Sequence, residues 1–280
     1  MMKYLLICVI FITTNSNSQS PLQFNKRFVE CENQWVVMPI DKDSSYSFGY
    51  IYIDEQAGLT FNYEGGFKIN SDGSFTPPRR FVDAGFKLRL EPNQTKVAIV
   101  PPSRYKDLKI NPIPDWMQFY RGDTNSIAHL YRWGYLYNSW DECAKALTFL
   151  EKAYKKDSTD KGVRIEMGYA YNALGQYDKA SDILKNALSY KPRDCYALKE
   201  MAYAAVHSKS IDDAATITRQ CIDICDDDTF KTEMAYNITH KYYELKDKAN
   251  FKPWAAEVKK WTKEGDKYLD SVHQMEKEMK

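Results

Sequence analysis

The sequence predicts an α+β chain in which a small antiparallel β domain over residues 24–105 is followed by an array of helical hairpins from residue 127. Three observations lead there. Strand-like runs alternate with turn residues before residue 120, and a 34-residue period with helical spacing follows it. From Trp254 to Lys280, apolar residues then recur on one stripe among many Lys and Glu residues, as in a capping helix.

In the first half, Trp35–Ile40 and Ser47–Ile53 are rich in β-branched and aromatic residues and read as strands. Leu59–Tyr63 alternates apolar and polar positions, and Glu64-Gly65-Gly66 then leads into Phe67–Ile69, which reads as a hairpin. Ser71-Asp72-Gly73-Ser74 marks the next turn, and Pro77-Pro78 stops a continuing strand. Phe86–Leu90 and Lys96–Val100, separated by Glu91–Thr95, suggest a second hairpin. Pro101, Pro102, Pro112 and Pro114 punctuate the stretch that follows, so residues 106–126 read as a linker.

In the second half, Ser126, Asp160, Asp194 and Asp228 recur at intervals of 34 residues. Each is a side chain able to accept from the free N–H groups that open a helix. Tyr135, Tyr169 and Tyr203 share the interval, as do Ala146, Ala180 and Ala214. These columns resemble the tetratricopeptide repeat family, whose unit is a helix–turn–helix. The stretch 161–194 carries the resemblance most fully, with Met167-Gly168, Tyr171, Ala180, Leu184, Ala187 and Pro192 at the family's positions and Leu174-Gly175-Gln176-Tyr177 as the inter-helix turn.

Residues 127–160 match through Leu130, Trp133, Gly134, Tyr137, Ala146, Leu150 and Ala153, with Ser158 where proline is usual. In 195–228, Leu198, Met201, Ala202, Ala214 and Cys221 fit, while Ala205, Thr218 and Asp226 depart. A fourth unit, 229–253, keeps a first helix and loses the register around Lys248–Pro253. The resemblance implies an α-α superhelical array over about 127–250. Small residues at Gly134, Gly168 and Ala202 let paired helices approach, and stacking covers the apolar face one hairpin leaves open. Trp254, Val258, Trp261 and Leu269 supply the stripe of the cap.

The resemblance further implies a concave surface lined by the first helices. Residues placed on it include Tyr131, Tyr135 and Asn138; Tyr169 and Asn172; Lys199, Tyr203 and His207; and Asn237 and His240. Tyrosine joins apolar area to a polar tip, and asparagine both donates and accepts, a combination suited to an extended peptide or a partner helix. In the alternative reading the tyrosines pack between neighbouring first helices and only their hydroxyls emerge. Tyrosines stand where a basic, carboxylate-clamping groove would carry lysine or asparagine, so that type of recognition is not indicated.

Lys3 followed by eight apolar residues, Leu5–Ile12, and a polar stretch with small Ser16 and Ser18 reads as a cleaved export signal over residues 1–18, giving a secreted or periplasmic protein. No later run is long enough to span a membrane. The balance of 39 basic against 38 acidic residues argues against nucleic acid or an anionic membrane as partner. Five cysteines remain after Cys8, none in CxxC spacing, so no zinc site is indicated. The default reading of these cysteines is small buried residues; the alternative is a disulfide between Cys195 and Cys225, since in a hairpin the start of the first helix approaches the end of the second.

His207 and His240 lack a carboxylate or cysteine at ligand spacing, and Asp226-Asp227-Asp228 suits a helix start better than calcium. Asp41-Lys42-Asp43-Ser44 lacks the glycine and glutamate of a calcium loop. No phosphate loop, GxSxG or HExxH is present. The expectation is therefore a scaffold for a peptide or protein partner, with no catalytic residue, cofactor or metal. The alternative is an enzyme, or enzyme accessory, acting through the β domain with the repeats as a targeting arm.

Overall fold

The computed structural model describes residues 22–41, 44–79, 85–120 and 122–279. The segment read as an export signal and Asp43 lie outside them. The chain divides into two compact units, one ending at Tyr120 and the other starting at Arg121.

The first unit is built on a five-stranded antiparallel sheet of order β4-β3-β2-β1-β5. Its strands are β1 (Gln34–Val37), β2 (Tyr46–Asp54), β3 (Gly58–Phe67), β4 (Lys87–Arg89) and β5 (Ala98–Ile99). On one face Trp35, Phe48, Tyr50, Tyr52, Phe67 and Phe75 form an aromatic core, with Trp35 edge-on to Tyr50 at 5.1 Å between centroids. The other face buries Val36, Ile51 and Phe61. Burial on both faces explains why these strands read as nearly continuous apolar runs.

Two expectations for this unit are corrected. Glu64-Gly65-Gly66 is not a turn: β3 runs through it, and the hairpin turn lies between β2 and β3, just before Gly58 with its φ of 82°. Tyr63 pairs with Gly49 and Gly65 with Phe48, so Glu64 is the extra residue of a bulge. Glycine suits position 65 because a Cβ there would lie 3.0 Å from the Arg79 carbonyl. Secondly, Phe86–Leu90 and Lys96–Val100 do not pair: β4 adds to β3 and β5 to β1, at opposite edges of the sheet.

The stretch read as a linker is also largely part of this unit. After a proline-started turn come α1 (Tyr105–Leu108) and a 3-10 segment, Asp115–Tyr120. Leu108, Met117, Trp116 and Tyr120 pack into the aromatic core, and the Trp35 indole N–H donates to the Asn111 carbonyl at 2.8 Å. Pro102 opens a helical turn here, with Pro101 as its extended N-cap.

The second unit is four hairpins and a closing helix: α2 (Ile127–Ser139) with α3 (Cys143–Lys156), α4 (Lys161–Ala173) with α5 (Tyr177–Tyr190), α6 (Cys195–Ser208) with α7 (Ile211–Ile224), and α8 (Asp228–Glu244) with α9 (Lys248–Trp261), then α10 (Lys267–Glu278). Ser126, Asp160 and Asp194 cap α2, α4 and α6 as their spacing requires. At α8 the cap is Asp227, one residue earlier than expected, accepting from the Thr229 and Phe230 amides.

The fourth hairpin is complete, which corrects the reading of 229–253 as a degenerate unit followed by a cap. Pro253 sits inside α9, at its sixth residue and exposed, where it removes one backbone bond near the helix start. Phe251, Trp254, Ala255 and Val258 are buried, and α9 packs closely against α8, which offsets that loss. The cap is the separate α10, reached through Gly265 at φ 81° and seated by Val272 and Met275.

Close approach within hairpins depends on small residues. A Cβ on Gly168 would fall 2.5 Å from Leu184 Cγ, and Gly134 stands in the same way against Leu150. The third hairpin has Ala202 and Thr218 at the corresponding positions, both buried, so a larger residue on α6 meets a smaller one on α7. A disulfide joins Cys195, opening α6, to Cys225, directly after α7, with Cα atoms 5.1 Å apart. Cys31, Cys143 and Cys221 are buried thiols, and burial pushes Cys221 up to about 12 and Cys31, helped by Glu30, up to about 11.

Candidate partner-binding face

Helices α2, α4, α6 and α8 pack against one another in sequence, more closely than the second helices do. An array built this way curves with its first helices on the inner side.

Side chains at fixed repeat positions bridge that row. The Tyr131 ring lies over Gly162, whose Cβ would stand 3.2 Å from Tyr131 Cε2. Tyr169 contacts Tyr196 at 6.4 Å between centroids, and Tyr196 contacts Phe230 at 6.2 Å. Lys199 Nζ lies 5.0 Å from the Tyr196 ring centre and pairs with Glu200 at 2.9 Å and Glu233 at 3.4 Å. Burial lowers the affinity of Lys199 for its proton, but the two carboxylates outweigh it and hold the ammonium above its ordinary value. Farther along, Tyr236 packs on Tyr268 at 4.8 Å and shares a hydrogen bond with Ser271 Oγ.

Two of the three asparagines placed on this surface, Asn138 and Asn172, are instead inside it. Asn138 is 2% exposed and its Nδ2 donates to the Glu166 carbonyl and to Glu166 Oε2, both at 2.9 Å. Asn172, 4% exposed, repeats the arrangement on Glu200 at 2.9 and 2.8 Å. Each links a first helix to the next through a buried amide and leaves little for a partner to reach. Their Oδ1 atoms find no donor among the described residues. Val206 and Met234, both buried, occupy the same two positions at the next joint. There an apolar pair replaces a polar one. Glu166 and Glu200 were not singled out from the sequence, although they stand 28 residues after the asparagines and 34 apart.

Burial, opposed by the Asn138 bond, raises the Glu166 carboxyl above its ordinary value, and the Glu200 carboxylate adds to the effect.

The tyrosine column divides. Tyr135 is 46% exposed, while Tyr169 and Tyr203 are half-buried and burial raises both phenols. Tyr203 lies 4.4 Å from the exposed His207 ring, which stacks on Tyr177 at 4.9 Å. Burial and then Lys241 hold the His207 imidazole below its ordinary value, against the pull of Glu244. Asn237 is half-buried, and the exposed His240 stands 3.5 Å from Glu244 Oε1. No group of three metal-ligating side chains exists among the described residues. Tyr177, Tyr196, Phe230 and Tyr236 are the aromatics that sequence reasoning missed; Tyr196 and Phe230 carry the 34-residue interval that reveals them.

Residues 142–202 match the family model of the tetratricopeptide repeat. The helical unit carries tetratricopeptide repeats. No curated protein matches the chain. Among solved structures, PilF of Pseudomonas aeruginosa is similar at 11% identity and a TM-score of 0.43, with 56% of this chain and 74% of that one covered. MamA of MSR-1 is similar at 14% identity and a TM-score of 0.36, covering 58% and 84% respectively. Both scores are low, and the fold rests on the repeat geometry and the family match. Tetratricopeptide repeats support a protein-interaction scaffold. No helix among the described residues is long and apolar enough to cross a membrane.

Proposed function

We propose that the chain is an exported, non-catalytic scaffold that captures a peptide or protein partner along the inner row of its first helices. The observation carrying this reading is the chemistry of that row. Lys199 stands between Glu200 and Glu233 and offsets one of the two carboxylates, while aromatic rings from successive hairpins succeed one another across it. Such a surface offers apolar area with hydrogen-bonding tips and little net charge, which suits main-chain and apolar recognition over a highly charged ligand. The contact residues proposed are Tyr135, Tyr169, Tyr203, His207, Asn237 and His240, with Tyr131 and Lys199 as supports beneath them.

Export is part of the proposal. The apolar run Leu5–Ile12 supports it, and so does the Cys195–Cys225 bond, because disulfides persist in oxidising compartments. The test is affinity capture from the source cell envelope, read by mass spectrometry, with the wild type beside the Y135A single and Y135A/Y169A/Y203A triple variants. Capture should weaken in the single variant and be lost in the triple, with helical circular dichroism near wild type. Undiminished capture by a folded triple variant would remove this face as the site.

A further inference from the structure

Lys199 Nζ takes Glu200 at 2.9 Å and Glu233 at 3.4 Å, with the rings of Tyr196 and Phe230 centred 5.0 and 5.8 Å away. Carboxylates beside aromatic faces hold a cation well. One repeat earlier Ile165 stands in the place of Lys199, and among the described residues no cation lies within ion-pair distance of Glu166. The Glu166 side chain is 4% exposed and keeps one oxygen on Asn138 Nδ2. Tyr131 and Tyr196 stand near enough for its charge to raise both phenols, behind the larger effect of burial. The Glu200 carboxylate acts on Glu166 more strongly than the Lys199 ammonium does, and Asp141 and Asp160 add to the negative side of this joint. Arg132 counts for less at Tyr131 than Glu166 or Asp160. The potential around Glu166 is therefore negative. A second sign comes from Asn138 Oδ1, 2% exposed in the same joint, which receives no donor among the described residues.

We propose that the joint of α2 with α4 receives one arginine side chain of a bound peptide, whose guanidinium answers Glu166 and Asn138 Oδ1 together. This rests on the first-helix row being the partner-binding face. Tyr135, 46% exposed and 6.5 Å from Tyr131, places the joint beside the open side of that row. A guanidinium carries several N–H donors in a fixed plane and can serve a carboxylate and an amide oxygen at once, whereas an ammonium is a single point charge. An acidic side chain would be repelled here. A peptide apolar but for one arginine fits both this joint and the aromatic surface on either side of it.

The probe is an immobilised random library of octapeptides with acetylated and amidated ends, screened with the full chain. Bound peptides should share an arginine at one position. A selected peptide, labelled and titrated by fluorescence anisotropy, should bind about tenfold more weakly when citrulline, similar in shape and uncharged, replaces that arginine. In E166Q the same exchange should cost about threefold or less. I165K sets a lysine beside Glu166 as Lys199 stands beside Glu200, and should weaken the arginine peptide about tenfold while leaving the citrulline peptide unchanged. Circular dichroism checks that each variant is folded. No bound peptide, or undiminished binding by folded Y135A/Y169A/Y203A, would overturn both this proposal and the binding-face reading. Selected peptides without a shared arginine, or an undiminished preference for arginine in folded E166Q, would overturn this proposal alone.

Discussion

Replacing Asn138 with alanine removes two bonds at once between α2 and α4. A hydrogen bond to a charged group contributes roughly 1.5–3 kcal/mol and a neutral one roughly 0.5–1.5 kcal/mol. Against this, the variant also removes the buried Asn138 Oδ1, which has no donor among the described residues and so costs about 1 kcal/mol in the wild type. The net loss should be about 2 kcal/mol. Asn172→Ala removes the matching pair of bonds, but Glu200 keeps Lys199 Nζ at 2.9 Å, so its carboxylate is not stranded.

N138A should therefore destabilise by about 1 kcal/mol more than N172A, and replacing Glu166 by Gln beforehand should shrink the cost of N138A because the acceptor is then neutral. Urea unfolding followed by far-ultraviolet circular dichroism measures the wild type, N138A, N172A, E166Q and E166Q/N138A. A transition that broadens in N138A would show the hairpins uncoupling, as expected for a nearest-neighbour stack. If N172A costs as much as N138A, or both lie within about 0.5 kcal/mol of wild type, the buried amide–carboxylate joints do not hold the array together.

The raised Glu166 carboxyl gives a pH signature. The folded state binds that proton more tightly than the unfolded one, so the group's stabilisation is full below its ordinary value of 4.5 and declines as pH rises through the raised folded value. The stability of wild type relative to E166Q should fall as pH rises above 4.5 through the raised folded value, and a constant difference in thermal midpoint would refute it. Reduction of Cys195–Cys225, which closes a separation of 30 residues, should cost roughly 3–4 kcal/mol on the chain-entropy account. Thermal midpoints with and without reductant read this, and five alkylatable thiols in the unreduced protein would remove the bond altogether.

Much of the helical half was legible in the sequence because its determinants are local. N-caps at Ser126, Asp160 and Asp194 act within one turn, and Gly134 and Gly168 answer to Leu150 and Leu184 in the same hairpin. The fourth hairpin was obscured by Pro253, since a proline's local cost can be read from sequence while the packing of Phe251, Trp254 and Val258 against α8 cannot. In the β unit the runs that form strands were visible, but their partners were not. Strand pairing is a long-range choice, and it sent β4 and β5 to opposite edges.

By itself, then, the sequence determined the 34-residue period, the ends of the first helices and the β-to-helical change of character, all expressed through neighbours a few residues apart. Only the tertiary structure decided which polar residues face a partner. Tyr135 and Asn138 stand three positions apart on one helix, yet the first is 46% exposed and the second 2%. The difference comes from α4, whose Glu166 covers the amide and leaves the ring outside. Whether a side chain is surface or joint depends on the helix laid against it, which periodicity within one helix does not specify.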